Sequence, residues 1–164
     1  MTRCRIARKL SILMLIVLTS FVPLHAHQAK LTASDMEIYA AVARYQIRVW
    51  DLKADTYCIQ VNGKDPSHEF LKLLAPLAVK PASACVSKPA SGQAGRVVSR
   101  VVDKKTGKPA VIFDLDRIER SPEGKADVEG GYDCASQCSG RGKYRLDLQG
   151  TEWIVKSFDV TFQS

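Results

Sequence analysis

The sequence predicts an α+β fold in which two N-terminal helices pack on a curved antiparallel sheet of about five strands. Segments with helical periodicity come early in the chain, and segments with strand-like alternation follow from residue 96 onward, separated by short turns. Consecutive strands joined by short turns are typical of an antiparallel meander. Helices that precede such a meander can cover one of its faces.

Residues 1–26 have the three parts of a secretory signal peptide: four basic residues, an apolar run over residues 10–18, and small residues near Ala26. The run is shorter than the roughly 20 apolar residues that a spanning helix needs. We therefore expect a cleaved signal over residues 1–26 and one domain over residues 27–164, periplasmic or secreted and without membrane contact. The alternative is a retained N-terminal anchor.

The net charge of +7 comes largely from the signal, which holds four basic residues and no acidic one. The remaining chain carries 20 basic and 17 acidic residues, a net charge of +3. Its basic residues are scattered, apart from a cluster at Lys104, Lys105 and Lys108 beside a Thr-Gly turn. A nucleic-acid partner is therefore not expected.

Four cysteines follow the signal: Cys58, Cys85, Cys134 and Cys138. An even number in an exported chain indicates disulfides. Of the three pairings, we favour Cys58–Cys85 with Cys134–Cys138 because both are local. A structural zinc site usually needs four Cys or His ligands, and His68 is the only internal histidine. We expect neither a metal nor a cofactor.

The first helix is predicted to begin at Ser34, which forms a capping box with Glu37. Its apolar face comprises Ile38, Val42, Tyr45 and Val49. Tyr45 and Trp50 either cover the sheet or face a ligand as an aromatic pair.

The second helix is predicted to have Asp65 as its cap and Pro66 in its first turn. Before it, residues 56–61 alternate like a short strand that ends at the Asn62-Gly63 turn. After it, residues 86–95 are rich in turn-forming residues and are predicted to be a loop between a helical half and a β half.

Few residues offer chemistry. Asp114 and Asp116 alternate on one face of a predicted strand, either as a carboxylate pair for acid–base work or as polar outward residues. Arg141 and Lys143 follow the second cysteine pair in a glycine-rich segment, which is predicted to be a rigid basic loop. Such a loop could bind an acidic partner in the cell envelope. Its alternative is a stapled turn without a binding role.

The closing segment has a strand with Tyr144 and Leu146, a turn at Gly150, and a strand with Trp153 and Val155. After N-terminal helices, this arrangement resembles the C-terminal sheet of cystatin-like and nuclear transport factor-like (SnoaL-like) cone folds. The Tyr-Cys, Asp-Pro-Ser and Gly-Gly-Tyr-x-Cys segments also resemble those of small exported bacterial proteins with no assigned role. Enzymes of the cone fold place Asp and His inside the cone, and no histidine lies on these strands.

The sequence therefore predicts an exported, non-catalytic binding or interaction protein of the bacterial periplasm or cell envelope. The alternative is a small ligand-binding or enzymatic cone-fold protein. Its pocket would lie between the N-terminal helix and the sheet, formed by Tyr45, Trp50, Asp114 and Asp116. The sequence leaves the oligomeric state open.

Overall fold

The computed structural model describes residues 33–50, 54–75, 77–91, 97–135 and 138–164. The predicted signal peptide and its cleavage site lie outside these residues. Within them, two α-helices, one 3₁₀ turn and eight strands follow one another along the chain. Their bounds are α1 Ala33–Trp50, β1 Thr56–Val61, α2 His68–Leu73, β2 Val79–Pro81, the 3₁₀ turn Ala82–Ala84, β3 Cys85–Ser91, β4 Val97–Asp103, β5 Ala110–Ser121, β6 Lys125–Ala135, β7 Cys138–Gln149 and β8 Glu152–Gln163.

All eight strands belong to one mixed sheet. Strands β5, β6, β7 and β8 form an antiparallel meander. On the other side of β5, strand β1 pairs in parallel with β5 and with β2. Strand β4 pairs along its length with β3 and reaches β6 through the single Arg100–Ala135 bridge.

The predicted fold, two N-terminal helices on an antiparallel sheet of about five strands, is wrong. The sheet has eight strands with both pairing directions, and α2 lies between β1 and β2. The segment predicted as a loop over residues 86–95 instead contributes most of β3. Strands β2 and β3 contain Pro81, Pro89 and mostly small or polar residues, so they lack the apolar alternation by which strands are recognised.

Helix α1 packs on the sheet, although its buried face is rotated from the predicted one. Ile38 and Val42 are fully buried as expected, whereas Val49 is 51% exposed. The rest of the buried face consists of Tyr39, Ala40, Ala43 and Gln46. The Gln46 side-chain nitrogen donates to the Gly131 carbonyl oxygen and to the Tyr144 hydroxyl, each at 3.0 Å. These two bonds explain why a polar residue replaces an apolar one on this face.

Helix α2 begins two residues later than predicted. Its N-cap is Ser67, whose hydroxyl accepts a hydrogen bond from the Phe70 amide at 3.2 Å. The Asp65 carboxylate instead accepts from the Ser83 amide at 2.8 Å, which ties the segment before α2 to the 3₁₀ turn. Hydrogen bonding from the Ser83 side chain, together with that from its amide, holds the pKa of Asp65 below its usual value.

The basic Lys104–Lys108 turn is organised by Asp103, a buried carboxylate. Asp103 pairs with the Lys80 ammonium group at 2.5 Å and accepts hydrogen bonds from the Lys105 and Thr106 amides. The bond from Lys80 holds the pKa of Asp103 far below its usual value. The turn's lysines therefore surround an internal anion, in agreement with a solvated structural turn.

Two disulfides staple the fold, with the two local pairings that the sequence favours. Cys58 in β1 is bonded to Cys85 in β3, with Cα atoms 6.3 Å apart. Cys134 in β6 is bonded to Cys138 in β7, with Cα atoms 5.4 Å apart. The first bridge is buried and packs with Val101 and other small apolar residues. No helix among the described residues has the length and apolarity needed to cross a membrane.

Glycines let β6, β7 and β8 approach one another closely. A Cβ atom at Gly142 would lie 2.3 Å from the Asp159 carbonyl oxygen and 2.5 Å from the Phe158 ring. That ring stacks on Tyr144 with centroids 4.2 Å apart. The inner surface of the meander therefore has room for the aromatic pair only because position 142 lacks a side chain.

We expect Gly142→Ala to lower the free energy of unfolding by at least ~2 kcal/mol, toward the upper end of the 1–3 kcal/mol typical of overpacked sites. Gly107→Ala is the matched control, since nothing lies within 4 Å of its Cβ position and only its positive φ is strained. We expect a cost of about 1 kcal/mol there. Urea unfolding of both variants measures the difference, and equal losses would contradict the close approach.

Removing the Cys58–Cys85 bridge by double alanine substitution is expected to lower the free energy of unfolding by about 3–4 kcal/mol in the chain-entropy model. Removing Cys134–Cys138 in the same way is expected to cost about 2 kcal/mol, because its loop is much shorter. Chemical denaturation under non-reducing conditions gives both values. A larger loss from the second bridge would show that loop length does not control the effect.

Candidate functional site

A groove lies between the outer flank of α1, the end of α2 and the start of β8. It encloses about 570 Å³. We refer to it as the α1–β8 groove. Its lining residues are Glu37, Ala40, Ala41, Arg44, Tyr45, Arg48, Leu73, Thr151, Glu152, Trp153, Ile154 and Val155.

Two partly buried aromatic residues form the apolar part of the groove. Tyr45 meets the buried ring of Tyr144 edge-on, with centroids 6.0 Å apart, and is thereby fixed against the core. Trp153 packs against the same core from β8. The side chain of Trp50, predicted to pair with Tyr45, lies outside the described residues. Aromatic surface held in place by a core is well suited to binding, since little side-chain freedom remains to be lost.

The charged residues of the groove are not ion-paired among the described residues. Arg44 donates to the Leu73 carbonyl oxygen at 2.5 Å and makes no salt bridge. Glu37, Arg48 and Glu152 line the groove without a salt bridge or side-chain hydrogen bond to any described residue. Two cations and two anions therefore remain available to a ligand.

The backbone of β8 borders the groove as a sheet edge. Strand β8 pairs with β7 and with no other described strand. Such an edge offers unpaired amide and carbonyl groups along its length.

The opposite face of the sheet, which we term the outer face, carries a second polar cluster. Phe113 and Leu115 point toward α1. Because side chains alternate along a strand, Asp114 and Asp116 point away from α1. Both carboxylates interact with Arg141 of β7: Asp116 directly, and Asp114 with an N–O distance of 4.0 Å. The Arg141 side chain reaches them by lying over Gly131, where a Cβ would be 2.9 Å from its Cγ.

Burial raises the pKa of the Asp114 carboxyl, whose side chain is 18% exposed. A hydrogen bond from the Gln60 side-chain amide and the charge of Arg141 oppose that rise without cancelling it. Burial also raises the pKa of the nearby Asp133. Asp114 thus accepts a hydrogen bond from a neutral amide and lies near a cation. These contacts hold the side chain in place and do not by themselves indicate acid–base chemistry.

The residues predicted to form a basic binding loop lie in strand β7 and are paired within the outer face. Lys143 contacts Glu119 at 3.2 Å and Asp127 at 3.7 Å. Since Arg141 is paired with Asp114 and Asp116, both cations already have acidic partners on the same face. Glycine-rich sequence there reflects strand packing rather than a turn.

The predicted pocket of Tyr45, Trp50, Asp114 and Asp116 is not assembled. Tyr45 lies on the α1 side of the sheet and the two aspartates lie on the outer face, with Ile38 and Val42 filling the space beneath α1. The groove residues that sequence reasoning missed are the charged ones. Arg44 and Arg48 are four positions apart on one helix flank, which was a usable signal, but nothing in the sequence placed β8 beside them. Among the described residues, no three His, Cys, Asp or Glu side chains could hold a metal ion together.

We expect Asp114→Asn to be at least as stable as the wild type near neutral pH, with the difference disappearing near pH 3. Because the pKa of Asp114 is raised on folding, the folded state binds more protons than the unfolded state between the two pKa values. Stability from this group therefore falls as the pH rises through that window. Asparagine removes the titration and can still accept from Gln60.

Denaturation at several pH values measures this difference. Asp116→Asn is the control: it removes the carboxylate that pairs directly with Arg141 and is not expected to stabilise. If Asp114→Asn destabilises more at neutral than at acidic pH, the charge on Asp114 is stabilising and the burial argument fails.

Comparisons of the chain with models of known protein families, with curated proteins and with solved structures each find no match. The function must therefore be argued from the geometry of the chain itself.

Proposed function

We propose that the protein is an exported, non-catalytic interaction protein of the periplasm or cell envelope that binds a partner in the α1–β8 groove. The observation that carries this proposal is the contrast between the two polar surfaces. Arg141 and Lys143 on the outer face are paired with acids of the same face. The groove instead gathers Glu37, Arg48 and Glu152 beside aromatic surface without pairing them.

Binding fits the described residues better than catalysis. The one internal histidine, His68, lies exposed on α2, whereas the Asp114 cluster lies on strands β5 and β7. The cysteines after the signal are in disulfides, so no thiolate nucleophile is formed from them. A nucleophile within reach of a base is what covalent catalysis requires.

Two disulfides support export, because such bridges form in oxidising compartments. The signal-like residues 1–26 point the same way. The likeness of β7 and β8 to the closing strands of cystatin-like and nuclear transport factor-like cones also stays a proposal, since no solved structure matches the chain.

A small-molecule ligand in the same groove is the second candidate. Its volume of about 570 Å³ lies within the range of ligand pockets. The bordering strand edge and the charges of both signs favour a polypeptide partner over it.

Selection of a random peptide library on the immobilised protein tests the proposal. Enriched peptides are expected to lose at least ~10-fold in affinity, about 1.4 kcal/mol, when Arg44 and Arg48 are both replaced with glutamate. The reason is that two groove cations become anions.

The matched control replaces Lys88 and Lys105 with glutamate. Both lysines are exposed, lie outside the groove and give the same change in net charge. Peptide affinity is expected to stay within twofold. Equal losses in both variants would show that net charge, not the groove, determines binding, and a library without enrichment would remove the polypeptide proposal.

A further inference from the structure

We infer that the α1–β8 groove binds an extended peptide segment as an added antiparallel strand on β8, with an acidic and a basic side chain four residues apart. The inference rests on the proposed function and specifies its partner chemistry. It combines three features of the groove: the free backbone edge of β8, the length of α1 beside it, and the order of unpaired charges along α1.

The edge of β8 exposes its backbone at Trp153 and Val155. Gly150 has φ 63° at the first central position of the two-residue β7–β8 turn, as type II′ turns require. Such a turn closes with a hydrogen bond between Gln149 and Glu152, so hydrogen-bonded and non-hydrogen-bonded pairs alternate from there. Trp153 and Val155 fall in non-hydrogen-bonded pairs, so their amide and carbonyl groups point away from β7.

Neither residue makes another backbone hydrogen bond within the described part of the chain. Both side chains pack against the core cluster on the α1 side. An added strand would therefore turn every second side chain toward α1, directly over Tyr45 and Trp153. An apolar residue at the centre of the segment suits that surface.

The wall of the groove formed by α1 has the right length for a short segment. Glu37 and Arg48 are eleven positions apart, which corresponds to about 16 Å along a helix. An extended chain covers that distance in about five residues. The regular part of the β8 edge ends nearby, since the β7–β8 register shifts between Arg145 and Leu146.

The charges along this wall have a fixed order. Glu37 lies toward the start of α1, and Arg44 and Arg48 lie toward its end. A segment that meets both ends needs a basic side chain near Glu37 and an acidic one near the two arginines. Side chains share a face of a strand only at even spacings, and four residues of strand cover about 13 Å, between the Glu37–Arg44 and Glu37–Arg48 separations.

Two capped seven-residue peptides test the inference. Both have threonine at odd positions and valine at the fourth; one has lysine second and glutamate sixth, and the other has the reverse order. One of them is expected to bind the protein and to slow amide hydrogen exchange of Trp153 and Val155 at least ~5-fold. A control peptide with glutamate moved to the fifth position presents its charges on opposite faces and is expected to bind at least ~10-fold more weakly.

Backbone N-methylation of the binding peptide gives a second measurement that does not depend on a protein variant. The residues opposite Trp153 and Val155 use their amides to reach β8, so methylation of the central valine nitrogen should abolish binding. Methylation of a neighbouring threonine nitrogen, which points away from β8, should preserve it.

The outcomes separate the inference from the proposed function. Binding in the groove without protection of Trp153 and Val155, or without sensitivity to N-methylation, overturns strand addition and leaves the interaction protein in place. If neither peptide binds while library peptides do, the charge spacing is wrong. Protection of the two amides that rises with protein concentration in the absence of peptide shows a second copy on the edge and overturns the inference.

Discussion

The position of α1 on the sheet depends on one buried amide. Gln46 donates two hydrogen bonds, to the Gly131 carbonyl oxygen in β6 and the Tyr144 hydroxyl in β7, while its own carbonyl oxygen accepts none from the described residues. A buried donor pair of this kind fixes both the rotation and the axial position of a helix, because any shift leaves polar groups unpaired. With that face committed to the sheet, the flank that carries Arg44 and Arg48 is directed toward β8.

Local sequence signals predicted the elements that depend on local physics. Apolar periodicity located α1, the Asn62-Gly63 pair located a tight turn, and alternation located the long strands of the meander. The pairing of β1 with β5 and β2 could not be predicted in this way, because parallel partners are far apart in sequence and no turn connects them. Exposed edge strands such as β3 bury too little to show alternation.

The α1–β8 groove could not be predicted from the sequence, because it depends on which charges are paired in the fold. Arg141 and Lys143 were noticeable in the sequence, yet both form ion pairs with acidic residues of β5 and β6. Arg44 and Arg48 lie off the predicted apolar face of the first helix, and they are exposed. They line the groove because β8, more than a hundred residues later in the chain, lies beside α1. The rotation of α1 is set by Gln46.

The two register shifts in β8 have a consequence for the behaviour of the protein at high concentration. The shifts lie at Arg145/Leu146 and at Arg141/Gly142 of β7. Val160, which lies between the two shifts, and Phe162, which lies beyond the second, are both exposed on β8. A long edge with such residues would otherwise template fibril growth, and irregular pairing interrupts the flat, continuous ladder that stacking copies require. The same irregularity limits each regular stretch to at most four residue pairs, and the stretch next to the β7–β8 turn lies beside α1. Protection against aggregation and selectivity for a short guest strand would thus arise from the same two bulges.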